Sequence, residues 1–272
     1  MASEFEPGIV VADSVTKLGP ETQDKVALTA SHGGLYAGYV AAKAGAKGII
    51  LHDAGVGRDR AGIASLDWLE ALGIAAAMVD YRSCRIGSGR DMADKGRISF
   101  VNATAAKLGC RAGQPALDCA RAMRAAAPAT APVPAIAEAR FVLRETPGEP
   151  RVIGCDSTSL VTAEDLGQVV VTGSHGEVLA DAPTWGSRPD VAAAIFHDAG
   201  IDVASHTASR LPDLDTRGIP AAVVAADSAR IGDARSIWQT GIVSQVNRTA
   251  RARNGQAGMT VAAFVDRMIA TL

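Results

Sequence analysis

Gly8-Ile-Val-Val-Ala-Asp-Ser14, followed by Val26-Ala-Leu-Thr-Ala-Ser-His-Gly33, decides the reading of this chain, because it has an echo further along. The echo is Arg151-Val-Ile-Gly-Cys-Asp-Ser157, then Val169-Val-Val-Thr-Gly-Ser-His-Gly176. One 143-residue offset carries both Asp13 to Asp156 and His32 to His175. Further on the offset is 145 and stays there. His52-Asp-Ala-Gly55 recurs as His197-Asp-Ala-Gly200, Ser83-Cys-Arg-Ile-Gly87 as Ser228-Ala-Arg-Ile-Gly232, and Ile98-Ser-Phe-Val-Asn102 as Val243-Ser-Gln-Val-Asn247. Self-similarity in separated blocks at a steady offset reads as duplication. The expected organisation is a first repeat over 1–123, an Ala/Pro-rich linker over 124–148 with room for an edge strand, and a second repeat over 149–272.

Within each copy, short apolar runs rich in β-branched residues alternate with helix-forming stretches. In the first copy, 8–12, 25–30, 47–51, 74–80 and 97–101 read as strands, and 35–44, 59–72, 90–94 and 102–108 as helices. Such alternation predicts parallel β-α-β units. The expected fold is α/β, an internal duplication of two Rossmann-like parallel-sheet units related by a pseudo-twofold axis.

Composition removes several function classes. Lys+Arg 27 against Asp+Glu 29 leaves no basic excess for nucleic acid, and 4% aromatics leave little for base stacking. No apolar run is long enough to span a membrane, and the start lacks the features of a secretory signal. A cytoplasmic protein acting on a small molecule is expected, with small apolar helix surfaces that suit a homo-oligomer. Cys84, Cys110, Cys119 and Cys155 have neither zinc-site nor dithiol spacing, so they read as buried thiols.

Ligands of parallel α/β sheets bind beyond the carboxyl ends of the strands, and the repeated polar residues fall there. Four of the five histidines occupy repeated positions, and only His206 stands outside. Histidine suits proton transfer and metal ligation, so His32, His52, Asp53, Ser83, His175, His197, Asp198 and Ser228 are the candidate catalytic residues. Ser14, Ser31, Gly33, Arg85, Gly87, Asn102, Ser157, Ser174, Arg230 and Asn247 are candidates for holding substrate, the arginines through a carboxylate or phosphate. His32, His52, Asp53 and Asp13 are candidate ligands of a divalent metal such as zinc or manganese. The glycine-rich turns match no dinucleotide or phosphate-loop fingerprint, so no nucleotide cofactor is expected. The first copy is richer in glycine, Gly34 standing opposite Glu177, which points to that copy for an open site.

Each of these residues has a plainer role available. A strand-end histidine can bond a neighbouring carbonyl, and Asp13, Asp156, Asn102 and Asn247 can cap turns and helices. The leading chemistry is hydrolysis of a small polar or carboxylate-bearing substrate by His/Asp/Ser groups, with Arg85 holding the substrate. A metal-dependent lyase and a non-catalytic binder of small anions are the alternatives. A thiol nucleophile at Cys84, beside Arg82 and Arg85, is weakened by Ala229 at the matching position.

Overall fold

The computed structural model describes residues 2–180, 185, 188–201 and 206–272. It is an α/β structure with two six-stranded mixed sheets, mostly parallel, in two compact units. The first unit is built mainly from Met1–Val56 and Arg60–Ala137, and the second mainly from Glu138–Val178 and Ala182–Leu272, with Gly57–Asp59 belonging to the second.

In the first unit the strands are β1 (Ser3–Glu6), β2 (Ile9–Ala12), β3 (Val26–His32), β4 (Gly48–His52), β5 (Ala75–Val79) and β6 (Ile98–Val101). They lie side by side in sequence order. β2 to β5 run parallel, and β1 and β6 pair antiparallel at the two edges. The inner strands are covered on both faces, which is why they read as unbroken apolar runs rather than as alternating ones. Successive residues serve opposite faces. Ile49, Leu51 and Met78 meet α1 (Leu35–Lys43) and α2 (Ser65–Ala71). Val26, Leu28 and Ile50 meet α3 (Gly89–Lys95) and α5 (Ala116–Met123), which follows the short α4 (Ala103–Lys107).

The second sheet has the corresponding order, β7 (Arg140–Arg144), β8 (Val152–Cys155), β9 (Val169–His175), β10 (Ala193–His197), β11 (Ala221–Val224) and β12 (Val243–Val246). Its inner strands β8 to β11 are parallel and its two edges antiparallel. Its α-helices are α6 (Arg210–Asp215), α7 (Ala234–Thr240), α8 (Arg248–Ala252) and α9 (Val261–Ile269). Among the described residues no helix is long and apolar enough to cross a membrane.

Two features depart from the sequence reading. Strand order is sequential, so neither sheet has the reversal at which doubly wound Rossmann sheets open a ligand crevice. The expected helix over 59–72 is a 3-10 segment, Arg58–Ile63, followed by α2. Asp59 and Arg60 are left-handed (φ +53° and +58°), and a Cβ on Gly62 would collide with the Asp53 carbonyl oxygen. Helical composition cannot report that close approach.

Asn102 and Asn247 tie each last inner strand to its neighbours. Asn102 Oδ1 accepts from the Ala76 N–H (3.0 Å) and the Ala105 N–H (2.9 Å), while Nδ2 donates to Ile74 O (2.8 Å). Asn247 repeats the set with Ala221, Ala250 and Ile219. With these atoms committed, the substrate-holding role expected of both residues gives way to capping and strand bracing. Asn102→Ala strands buried amides, so it is expected to cost about 2–4 kcal/mol. A shift in the urea midpoint of the first unit measures this, and an unchanged midpoint contradicts the brace.

Candidate functional site

The four repeated histidines share one local geometry. In each, ring Nδ1 accepts the backbone N–H two residues on: His32 from Gly34 (3.1 Å), His52 from Ala54 (3.1 Å), His175 from Glu177 (3.3 Å) and His197 from Ala199 (2.9 Å). In the neutral ring this leaves the proton on Nε2. His52 Nε2–H then reaches Cys84 O (3.4 Å), and His197 Nε2–H reaches Ala229 O (3.1 Å). Both rings are buried, and that burial pushes their pKa down to about 4. With both nitrogens committed, His52 and His197 hold loops together and have no lone pair for a proton or a metal.

The aspartates beside them complete the same turn. Asp53 Oδ1 accepts from the N–H groups of Gly55 (3.1 Å) and Tyr81 (3.0 Å), and Asp198 Oδ1 from Gly200 (2.9 Å). Ser244 Oγ donates to Asp198 Oδ2 (2.8 Å). Ala54 and Ala199 are left-handed (φ +49° and +56°), so His-Asp-Ala-Gly is a turn signature held by two consecutive side-chain-to-backbone bonds. Burial raises the Asp53 carboxyl above its ordinary range and pushes Asp198 to about 6, both opposed by these hydrogen bonds.

The remaining repeated residues are also engaged with backbone. Ser83 Oγ donates to Asp80 O (2.7 Å) and accepts from the Arg97 N–H (2.9 Å), and Ser228 does the same with Ala225 (2.7 Å) and Ile242 (2.9 Å). Both hydroxyls thus bridge a strand-end carbonyl to an N–H of the next segment. Ser31 and Ser174 accept from the N–H groups of Val15 and Thr158, and Ser14 and Ser157 cap 3-10 turns. Asp13 Oδ1 accepts from the Gly89 N–H (2.7 Å) and Asp156 Oδ1 from the Ala234 N–H (3.1 Å), each at the start of a helix. The N–H groups of Gly33 and Gly87 go to His52 O and Ala30 O, so neither is offered to a ligand anion. Arg230 pairs with Asp233 and Asp59, whereas the Arg85 side chain is exposed. Burial pushes the Cys84 thiol up to about 12, which disfavours the thiolate. Among the described residues no three His, Cys, Asp or Glu side chains gather as a metal-holding set. The metal reading of Asp13, His32, His52 and Asp53 therefore goes no further.

A different cluster lies beyond the carboxyl ends of β9 and β10, in the second unit. Glu177 is buried, yet its carboxylate is well supplied with donors. Oε1 faces His206 Nε2 (2.9 Å) and accepts from the Ser209 N–H (3.2 Å), and Oε2 accepts from Ser209 Oγ (2.7 Å). The His206 side chain is 43% exposed, against 3% for Glu177. Gln245 clamps this segment from the side, donating to His206 O (2.6 Å) and accepting from the Ala208 N–H (3.1 Å). Next along is Arg210, buried against the rings of Phe196 and Trp185. Beside the cluster, Thr207, Leu211, Gln245, Ser244 and Arg248 line a cleft of about 620 Å³.

Sequence reasoning passed over His206, Ser209 and Arg210 because it weighted what repeats. The usable signal lay in what differs. At the 143- and 145-residue offsets, Glu177, His206, Ser209, Arg210 and Gln245 stand opposite Gly34, Ala61, Ala64, Ser65 and Phe100. The backbone matches even so: Ser65 N–H bonds Gly33 O (3.0 Å) and Arg210 N–H bonds Gly176 O (2.9 Å). The polar cluster is thus in the second unit, whereas glycine content pointed to the first.

Comparison with known proteins gives no match: no family model fits the chain, and no curated protein or solved structure matches it.

Burial of the two histidines fixes a sign for pH dependence. Their folded pKa of about 4 lies below the ordinary 6.5, so between those values the unfolded chain binds more protons. Their contribution to stability is lost as pH falls from 6.5 to 4. Asp198 acts oppositely, because its folded value of about 6 exceeds 3.8 and its contribution is lost as pH rises through that window. Two protons against one leave a net loss of about 1.4 kcal/mol per unit of acidification between pH 6 and 4 from these three groups. Ring ¹⁵N spectra are expected to show His52 and His197 as neutral Nε2–H tautomers down to pH 5. A ring titrating near 6.5 contradicts the assignment.

Proposed function

We infer that the second unit carries the active site of a small-molecule hydrolase, with His206 as the proton-transfer group and Glu177 as the residue that orients it. The carrying observation is the 2.9 Å contact between His206 Nε2 and the buried Glu177 carboxylate. A carboxylate on one ring nitrogen holds the proton there and directs the other, Nδ1, as a base. This is the relation between orienting acid and imidazole used to activate water or a hydroxyl. Ser209 already donates to Glu177 and accepts from the Val178 N–H (2.9 Å), so it serves as a second anchor of the carboxylate. Water is the nucleophile in this reading, with Nδ1 taking its proton. A neighbouring cleft of about 620 Å³, of a size that holds a small organic ligand, is lined by Thr207 and Gln245 from beside the cluster, while His206, Glu177, Ser209 and Arg210 lie outside its lining.

The same reading includes an internal duplication. It is supported by the shared strand order of the two sheets and by hydrogen bonds that recur at the sequence offset, such as those of Asn102 and Asn247. On this view both copies keep the loop-holding residues, and the second acquired polar groups at positions where the first has small or apolar ones.

A panel of small activated carboxylic and phosphate esters, followed by chromophore release, tests the activity. His206→Asn and Glu177→Gln are expected to lower kcat by about 10²–10⁴-fold with the fold retained. Wild-type rates in folded His206→Asn contradict the assignment, and a wild type inert across the panel removes its hydrolytic part.

A further inference from the structure

Arg210 stands out energetically. It is 7% exposed, and among the described residues its side chain makes one hydrogen bond, from NH2 to Glu177 O (3.2 Å), and contacts two aromatic rings. Its Nε has no hydrogen-bond partner, and among the described residues no carboxylate forms an ion pair with it. A buried guanidinium left this way costs free energy unless an anion completes it.

A second guanidinium lies close by. Arg188 is half-buried, and its carbon lies 5.6 Å from the centroid of the Trp185 ring, against 6.0 Å for Arg210. Among the described residues Arg188 donates to carbonyl oxygens, Nε to Thr158 O (3.1 Å) and NH1 to Trp185 O (3.0 Å). Burial, and after it the charge of Arg188, push the Arg210 guanidinium down to about 10, which registers the two cations opposing each other. Two like charges around one buried ring, whose side-chain hydrogen bonds among the described residues go to carbonyl oxygens, are half of an anion site. Asp213 and Glu177 are the acidic groups near Arg210; Asp213 Oδ2 accepts from the Trp185 N–H (2.7 Å), and Glu177 is held by His206 and Ser209.

We propose that Arg210, with Arg188, binds an oxyanion group of the ligand, a carboxylate or a phosphate. The planar guanidinium fork offers two parallel N–H donors to such a group, and Nε is the donor still without an acceptor. The inference rests on the reading of the neighbouring Glu177–His206 pair as a small-molecule site. It also assigns the charge of that molecule: an anionic end at Arg210 and a reacting bond toward His206.

Full-length protein is titrated with inorganic phosphate and, separately, with acetate and malonate. Thermal shift and calorimetry are compared with chloride at equal ionic strength. Wild type and His206→Asn are expected to gain several degrees in Tm from one of the two chemistries, and which one identifies the source of the oxyanion. Arg210→Met is expected to lose that gain while melting at or about 2–4 °C above wild type without anion, since an unpaired buried charge has been removed. Arg210→Lys, which keeps the charge and loses the fork, is expected to bind at least tenfold more weakly.

No stabilisation beyond chloride in wild type overturns the proposal. So does an Arg210→Met protein that keeps the gain, and so does one that melts lower or fails to fold, because Arg210 would then be a satisfied part of the core. Binding that survives in His206→Asn while the ester panel stays inert retires the hydrolase reading alone. Turnover without anion binding retires this one alone.

Discussion

The constraint on which both sheets depend is the supply of hydrogen-bond partners where the parallel strands stop. Beyond the carboxyl end of an inner strand, the turning chain presents N–H and C=O groups that no neighbouring strand pairs, and burying them unpaired is costly. Here side chains do the pairing. His52 and Asp53 take the N–H groups two residues ahead of each, and Ser83 bridges Asp80 O and the Arg97 N–H, while at the opposite, amino end of β5 Asn102 ties Ile74, Ala76 and Ala105 together. The second unit repeats this with His197, Asp198, Ser228 and Asn247. Recurrence of these residues therefore follows from the needs of the backbone, and chemistry on a substrate is not required to explain it.

Why the same residue types invite a catalytic reading is a matter of valence. Histidine, aspartate and serine can serve as acids, bases and nucleophiles only when a lone pair or proton is left over after structural bonds are made. His52 has none, because Nδ1 and Nε2 are both committed inside a buried site that disfavours its charged form. His206 differs in each respect. One nitrogen meets a carboxylate, and nearly half of the side chain is open to solvent. A sequence lists the same residue in both places.

Bonds that hold the loops and the more exposed polar groups fall at two different kinds of position. The loop-holding set gives the carboxyl edge of each sheet fixed geometry, and the second unit uses that frame to carry Glu177, Ser209 and Arg210 on the turns it stabilises. Glu177 follows the His175 turn directly, its own N–H donating to His175 Nδ1, while Arg210 N–H reaches back to Gly176 O. The first unit has the matching backbone bond with Ser65 and Gly33, but Gly34 and Ala61 offer no charge there.

By itself the sequence determined the alternation of strand and helix, the α/β class and the parallel inner strands, because continuous apolar runs and helix stops are local patterns that burial on two faces imposes. It also located the repeated His, Asp and Ser residues at the carboxyl ends of those strands, whereas Asn102 and Asn247, which follow antiparallel edge strands, lie beside the amino ends of β5 and β11. Only the tertiary structure decided the antiparallel edges, the sequential strand order and the break of the 59–72 segment at left-handed Asp59 and Arg60. These depend on which distant chain lies alongside, as where Gly62 packs on the Asp53 carbonyl. The sequence set His206 apart as the histidine outside the repeat, and the structure placed it against the Glu177 carboxylate. Whether a side chain has a donor or acceptor left to offer depends on every group around it, and those neighbours come from segments that only folding brings together.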